Sequence, residues 1–105
     1  IILGAPAHYA HITSEMKNFL ADLRDENEAG RLELKGKIGA AFGSYGWDGG
    51  VAIERLAIDM KNLGIKVQSP VLVQVAPLPY SPLKEKSLEE CRELGKTLAK
   101  KTLKQ

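Results

Sequence analysis

Short apolar runs alternate with helical stripes along this chain. Residues 1–4 and 37–42 are mostly apolar, as in strands that are buried on both faces of a parallel sheet. A third strand region covers residues 65–75 and is broken at Ser69-Pro70. Apolar residues recur at helical spacing after each of these regions, in residues 13–23, 53–63 and 88–102. This order predicts βαβ units, with a parallel sheet between two layers of helices.

The ends of the predicted helices carry capping signals. Thr13 or Ser14 can accept a hydrogen bond from the first turn of the first helix, and Asp48 is the simplest N-cap for the second. Gly64 is expected to end the second helix. The run Ser87-Leu88-Glu89-Glu90 has the pattern of a capping box, which predicts that the third helix begins at Ser87.

Two further predictions concern exposure to solvent. Residues 25–36 are rich in charge and contain Gly30 and Gly36, so we expect an exposed loop between the first helix and the second strand. Cys91 lies on the apolar stripe of the third helix, and this position predicts a buried thiol.

Two predicted loops follow strands and precede helices. In open parallel sheets, ligands bind beyond the carboxyl ends of the strands, where residues 4–12 and 43–50 are expected. We expect the backbone amides of both loops to be free for a ligand rich in acceptors. Four glycines between residues 43 and 50 predict irregular backbone. Tyr45 and Trp47 favour a planar heteroaromatic ligand, and the alternative is a glycine-rich turn with Trp47 as a core anchor.

The second loop carries a motif of a known family. The run Phe42-Gly43-Ser44-Tyr45-Gly46-Trp47-Asp48-Gly49 resembles the Gly-Ser-Tyr-Gly-Trp-x-Gly signature of the flavodoxin-like domain in flavodiiron proteins, or A-type flavoproteins. Residues 3–8 are similar to that family's other flavin loop, and residues 91–99 are similar to its last helix. The resemblance covers the whole chain. It implies a flavodoxin-like three-layer α/β/α fold with a parallel sheet, in which residues 1–105 form a single, partial domain lacking its first strands.

The resemblance also implies an FMN site on the two loops. The residues that would contact the cofactor are Ala5, Pro6, Ala7, His8, Ser44, Tyr45, Gly46, Trp47, Asp48 and Gly49. Ala5 and Ala7 stand where the family has serine and threonine, so two side-chain hydroxyls are missing. The loop that holds the FMN phosphate in the family would precede residue 1, and we therefore expect weak FMN binding by this chain alone.

Composition narrows the possible functions. Fifteen basic and 13 acidic residues give a formal charge of +2, which is too close to balance for a nucleic-acid-binding protein. No apolar run approaches the roughly 18 residues that a membrane-spanning helix needs. One cysteine excludes an internal disulfide, and the two histidines, His8 and His11, are too few for a di-iron centre. No signal peptide is visible, and we expect a cytoplasmic protein without membrane partners.

The resemblance predicts an FMN-binding electron-transfer domain without the di-iron domain of the family. The flavin would supply the redox chemistry, no residue is required as an acid, base or nucleophile, and enzymatic activity of the chain itself stays open. A rubredoxin-like electron donor and a homo-oligomer are the partners that the family implies.

The alternative function is a cofactor-free, flavodoxin-like interaction module or split subunit. Ala5, Ala7 and the missing phosphate loop favour this alternative. Under both hypotheses the apolar strand of residues 1–3 would stand at an unpaired edge of the sheet. We therefore expect a missing upstream segment or a partner subunit to pair with it.

Overall fold

Strands and helices alternate in the structure as the pattern predicts. The structure is a computed structural model that describes residues 1–7, 11–46, 50–74 and 85–104. Its elements in chain order are β1 (Ile2–Gly4), α1 (Ser14–Glu28), β2 (Ile38–Tyr45), α2 (Val51–Asn62), β3 (Lys66–Val67), β4 (Val71–Gln74) and α3 (Glu85–Leu103). No helix in the described part of the chain is long and apolar enough to cross a membrane.

Strand β2 is the centre of a parallel sheet. It pairs with β1 on one side and with both β3 and β4 on the other. The predicted third strand region is therefore present as two segments with a break between them. Gly39 pairs with Val67, whereas Phe42 pairs with Val71, so β4 is shifted by one residue relative to β3. Pro70 lies in this break, where the absence of an amide hydrogen costs no sheet hydrogen bond.

The two faces of the sheet are covered by different helices. Side chains alternate between the faces along β2, and Ala41 lies in one core cluster with Ile53 and Met60 of α2. Helix α3 packs against β2 and β4, and its Leu98 is buried. Ala40 is fully buried as well but stands outside the α2 cluster, as its position on the opposite face requires. The predicted three-layer α/β/α arrangement is confirmed.

Helix α1 begins as predicted but ends later. Thr13 is its N-cap, and the Thr13 hydroxyl oxygen accepts a hydrogen bond from the Met16 amide at 3.2 Å. The helix continues to Glu28, so the expectation of a loop from residue 25 is wrong at its start. The prediction that this connection is exposed is also wrong at Leu34, which is 1% exposed. The side chain of Asn27 explains the difference, because its carbonyl oxygen accepts a hydrogen bond from the Leu34 amide and holds the loop against the core.

Helix α3 departs from two predictions. It begins at Glu85, so Ser87 is its third residue and the capping box predicted there is wrong. The Cys91 thiol is exposed, and the prediction of a buried thiol is wrong as well. Leu94 is half-buried and Leu98 is buried one turn further on, so burial increases along the same stripe. Helical spacing gives the direction in which a side chain points, but it does not give how far the sheet extends beneath the helix.

Candidate functional site

The structure brings the two predicted ligand loops together at the carboxyl ends of β1 and β2. Beyond Gly4, the chain continues alongside β2 instead of turning away. The Ala5 amide donates to the Phe42 carbonyl oxygen at 3.1 Å, and the Ala7 amide donates to the Ser44 carbonyl oxygen at 3.0 Å. Residues 5–7 therefore lie directly beside the end of β2.

These hydrogen bonds correct one expectation about the first loop. We expected free amides there, but those of Ala5 and Ala7 already have partners in β2, and Pro6 has no amide hydrogen. Ala5 is buried, Pro6 is exposed and Ala7 is half-buried. Within residues 5–7, the first loop consequently offers a ligand its surface and its carbonyl groups, and not amide donors.

The second loop begins later than its glycines predict. Strand β2 extends to Tyr45, so the prediction of irregular backbone is wrong for Gly43 to Tyr45. Gly43 has a packing role instead, because a Cβ atom there would collide with the Ala5 carbonyl oxygen and the Ile53 side chain. The missing side chain thus lets α2 and the first loop approach the same point of the strand.

The exit of β2 presents two polar side chains on opposite faces of the sheet. Gly43 faces α2, so Ser44 leaves on the α3 side and Tyr45 on the α2 side. Ser44, Tyr45 and Gly46 are all half-buried. Among the ten predicted contact residues, six are described and lie at this edge; His8, Trp47, Asp48 and Gly49 lie outside the described residues.

Helix α2 begins directly after a glycine. Its N-cap is Gly50, with a φ of 86°, so the prediction that Asp48 is the N-cap is wrong. Only glycine adopts this left-handed conformation at no steric cost, and a Cβ atom at Gly50 would also lie 2.8 Å from Leu72 Cδ1. The chain consequently enters the helix two residues later than the side-chain preference of aspartate predicts.

This chain is similar in sequence to known proteins. No family model matches the chain. The type A flavoprotein of Rhodobacter capsulatus is 34% identical over 100 residues, which are 94% of this chain and 20% of that protein. The anaerobic nitric oxide reductase flavorubredoxin of Vibrio vulnificus is 36% identical over 69 residues, which are 66% of this chain and 13% of that protein. The chain belongs to the flavodiiron, or type A flavoprotein, family.

The fold of this family member has a solved counterpart. A flavodoxin from the domain Archaea superposes with a TM-score of 0.72 at 32% identity, over 96% of this chain and 63% of that structure. An uncharacterized protein of Methanocaldococcus jannaschii is 34% identical over 99 residues, 94% of this chain and 22% of its own length. The flavodoxin-like fold is thereby confirmed. The chain spans about a fifth of the length of the two curated relatives that it matches over 94% of its residues.

Two features of the site cannot be predicted from the residue types alone. Gly43 and Gly50 belong to the glycine-rich run, but their roles differ: one permits close packing and the other a left-handed turn. The engagement of the Ala5 and Ala7 amides is equally invisible in the sequence, because it depends on which strand the loop follows.

Proposed function

We propose that this chain is an FMN-binding electron-transfer domain of the flavodiiron type. The observation that carries the proposal is the hydrogen bond from the Ala7 amide to the Ser44 carbonyl oxygen, 3.0 Å long. It holds the first loop against the motif Gly43-Ser44-Tyr45-Gly46 at the edge where parallel sheets bind ligands. The names of the relatives, flavoprotein and flavorubredoxin, support a flavin as the ligand.

The described residues fit the ring system of a flavin better than its phosphate. Tyr45 is half-buried at the strand end and supplies an aromatic face, and Pro6 and Ala7 of the first loop supply a small, uncharged surface. In the proposed site, Ala5, His8, Ser44, Gly46, Trp47, Asp48 and Gly49 complete the contacts. FMN accepts and releases one or two electrons when bound, and the protein's part is to orient the ring and exclude water from one of its faces.

Titration with flavins tests this proposal. We expect FMN to quench the fluorescence of Trp47, and we expect the fluorescence of FMN itself to fall on binding. Riboflavin should bind almost as tightly as FMN, because contacts to the ring dominate. Tyr45→Ala should weaken both flavins about tenfold, whereas Tyr45→Phe should leave their binding unchanged. A protein that stays colourless after FMN is added and dialysed, with no change in fluorescence during titration, would contradict the proposal.

A cofactor-free interaction module is the second candidate. One observation favours it: the first loop has neither free amides at Ala5 and Ala7 nor side-chain hydroxyls at these positions, so it has few groups for the polar edge of a flavin. The flavin titration separates the two candidates, because this one predicts no saturable binding of FMN or riboflavin.

The proposal also includes a partner that covers the edge of the sheet and a protein that donates electrons. Strand β1 stands at one end of the sheet formed by the described residues, and its residue Ile2 is 50% exposed. We propose that an upstream segment or a partner subunit covers this edge, that the functional form is a homo-oligomer, and that a rubredoxin-like protein donates the electron. A cytoplasmic location belongs to the same proposal, and fractionation of the source cells would test it.

A further inference from the structure

A cavity lies between the first turn of α1 and helix α2. Its volume is about 300 Å³, and the residues that line it are His11, Ile12, Lys17, Ala52, Arg55 and Asp59. None of them belongs to the proposed flavin contacts. His11 follows the first ligand loop and Ala52 follows the second, so the cavity belongs to the same general end of the fold.

The cavity has a fixed floor and an accessible rim. Ile12 is 8% exposed and Ala52 is 1% exposed, and both belong to the hydrophobic core. The side chains of Lys17, Arg55 and His11 are exposed at the rim. This arrangement presents polar groups to a ligand above a surface that the core holds in place.

The rim is positively charged and is not neutralised by ion pairs. Lys17 and Arg55 are cations at neutral pH, and Asp59 is the carboxylate that lines the same cavity. Among the described residues, no ion pair within 4 Å involves any of these three side chains. Arg31, by contrast, binds Glu26 at 2.7 Å elsewhere on the surface. The cavity therefore keeps donors and a positive charge that are available to a ligand.

The start of α2 adds to this positive character. Its N-cap is Gly50, and Ala52 in the first turn lines the cavity. The N-terminal end of a helix carries a partial positive charge, and amides of the first turn are ordinary donors to anions. Arg55 lies one turn further along the same helix, so the helix and the guanidinium act on the same cavity.

We propose that this cavity is a binding site for a small oxyanion, the phosphate or carboxylate group of a ligand, held by Arg55, Lys17 and His11. The site is separate from the proposed flavin site and does not depend on it. A volume of about 300 Å³ accommodates an oxyanion with part of the molecule that carries it. Arg55 is the principal donor, because a guanidinium matches the geometry of both oxyanions with two parallel hydrogen bonds.

An NMR titration of the ¹⁵N-labelled protein without flavin tests the site directly. Inorganic phosphate and acetate are added in separate titrations at constant ionic strength, which is held with sodium chloride. We expect saturable shifts of the amide signals of residues 12–17 and 52–55. Saturation with phosphate alone identifies a phosphate site, and saturation with both anions identifies a site for either group. Shifts that are linear in anion concentration for both would overturn the proposal.

Three variants separate a specific site from general attraction to a basic surface. Arg55→Gln should weaken phosphate binding about tenfold, because one charge-assisted pair of hydrogen bonds is lost. Asp59→Asn should strengthen it about twofold to fivefold, because a like charge is removed from the cavity. Lys61→Gln is the matched control, since Lys61 is an exposed cation on the same helix but does not line the cavity. Equal effects of the Arg55 and Lys61 substitutions would contradict the proposal.

Discussion

The two faces of strand β2 are packed to different degrees. On the α2 side, Ile53 and Met60 are fully buried against Ala41. On the α3 side, Phe42 is 41% exposed in the central strand and Ile2 is 50% exposed in the neighbouring strand. Helix α3 covers the β4 half of this face, and the described residues leave the β1 half open. Among the described residues, the α2 side of the sheet is therefore closely packed, whereas the α3 side exposes apolar side chains near β1.

The largest expected effect concerns the buried packing between α2 and the sheet, which we call the closed face. Ile53→Ala removes a fully buried side chain from the α2 core, and we expect it to lower the free energy of unfolding by about 2–5 kcal/mol. Ile58→Ala on the same helix is the matched control, because Ile58 is 53% exposed, and it should change stability by less than about 0.5 kcal/mol. Urea unfolding measures both. Similar losses for the two variants would show that the α2 side is not the main core.

A smaller effect is expected at the point where the closed face meets the first ligand loop. A Cβ atom at Gly43 would collide with the Ala5 carbonyl oxygen, so Gly43→Ala should lower stability by about 1–3 kcal/mol and weaken flavin binding as well. Gly95→Ala in α3 is the control, since nothing lies within 4 Å of the added atom. It should raise stability by about 0.5–1 kcal/mol, because alanine is the better helix former. Thermal unfolding of both variants tests the opposite signs.

The α3 side of the sheet near β1, which we call the open face, should affect self-association of the protein more than its stability. Ile2→Thr keeps a β-branched residue in the strand, so we expect a change in stability below about 0.5 kcal/mol but weaker self-association. Ile58→Thr, which removes a similarly exposed isoleucine from α2, should leave association unchanged. Sedimentation velocity over a range of concentrations measures the effect. A protein that is monomeric at every concentration, with a sharp cooperative melt, would show that the β1 edge needs no partner.

The smallest effect lies at an exposed ion pair between the end of α1 and the connection that follows it. The guanidinium of Arg31 donates to both carboxylate oxygens of Glu26, at 2.7 and 2.9 Å, and lowers the pKa of that carboxyl. A pKa that is lower in the folded than in the unfolded state stabilises the fold above the unfolded value, and this contribution disappears as pH falls through the folded value. Glu26→Gln should therefore reduce the acid-side slope of stability slightly, and melting temperatures between pH 3 and pH 7 test this. An unchanged slope would show that the pair has no influence on folding.

The sequence predicts elements better than their ends. Spacing identified the buried positions of α2 correctly, because Ile53, Leu56, Ala57 and Met60 recur on one side of a regular helix. The capping predictions at Asp48 and Ser87 failed for a shared reason. A side chain that can cap a helix is present at many positions, and the tertiary path of the chain decides where the helix begins.

In the candidate site, too, the sequence predicted some features and not others. The motif Ser44-Tyr45-Gly46 and the loop from Ala5 to Ala7 were placed at the carboxyl edge of the sheet, because alternating strands and helices determine where such loops lie. The partners of the loop amides could not be predicted. They depend on the first loop following β2 for three residues beyond Gly4, and no local propensity in Ala5-Pro6-Ala7 encodes that pairing.

The most direct test of the central claim is an amide-resolved NMR titration of the protein with FMN. If FMN binds as proposed, saturable shifts should concentrate on residues 5–7 and 43–46, with small changes in α3 and in the loop that contains Leu34. Riboflavin should produce the same pattern, because the ring system dominates the contacts. Saturable shifts confined to other regions, or no saturable shifts with either flavin, would contradict the assignment of these loops as a flavin site.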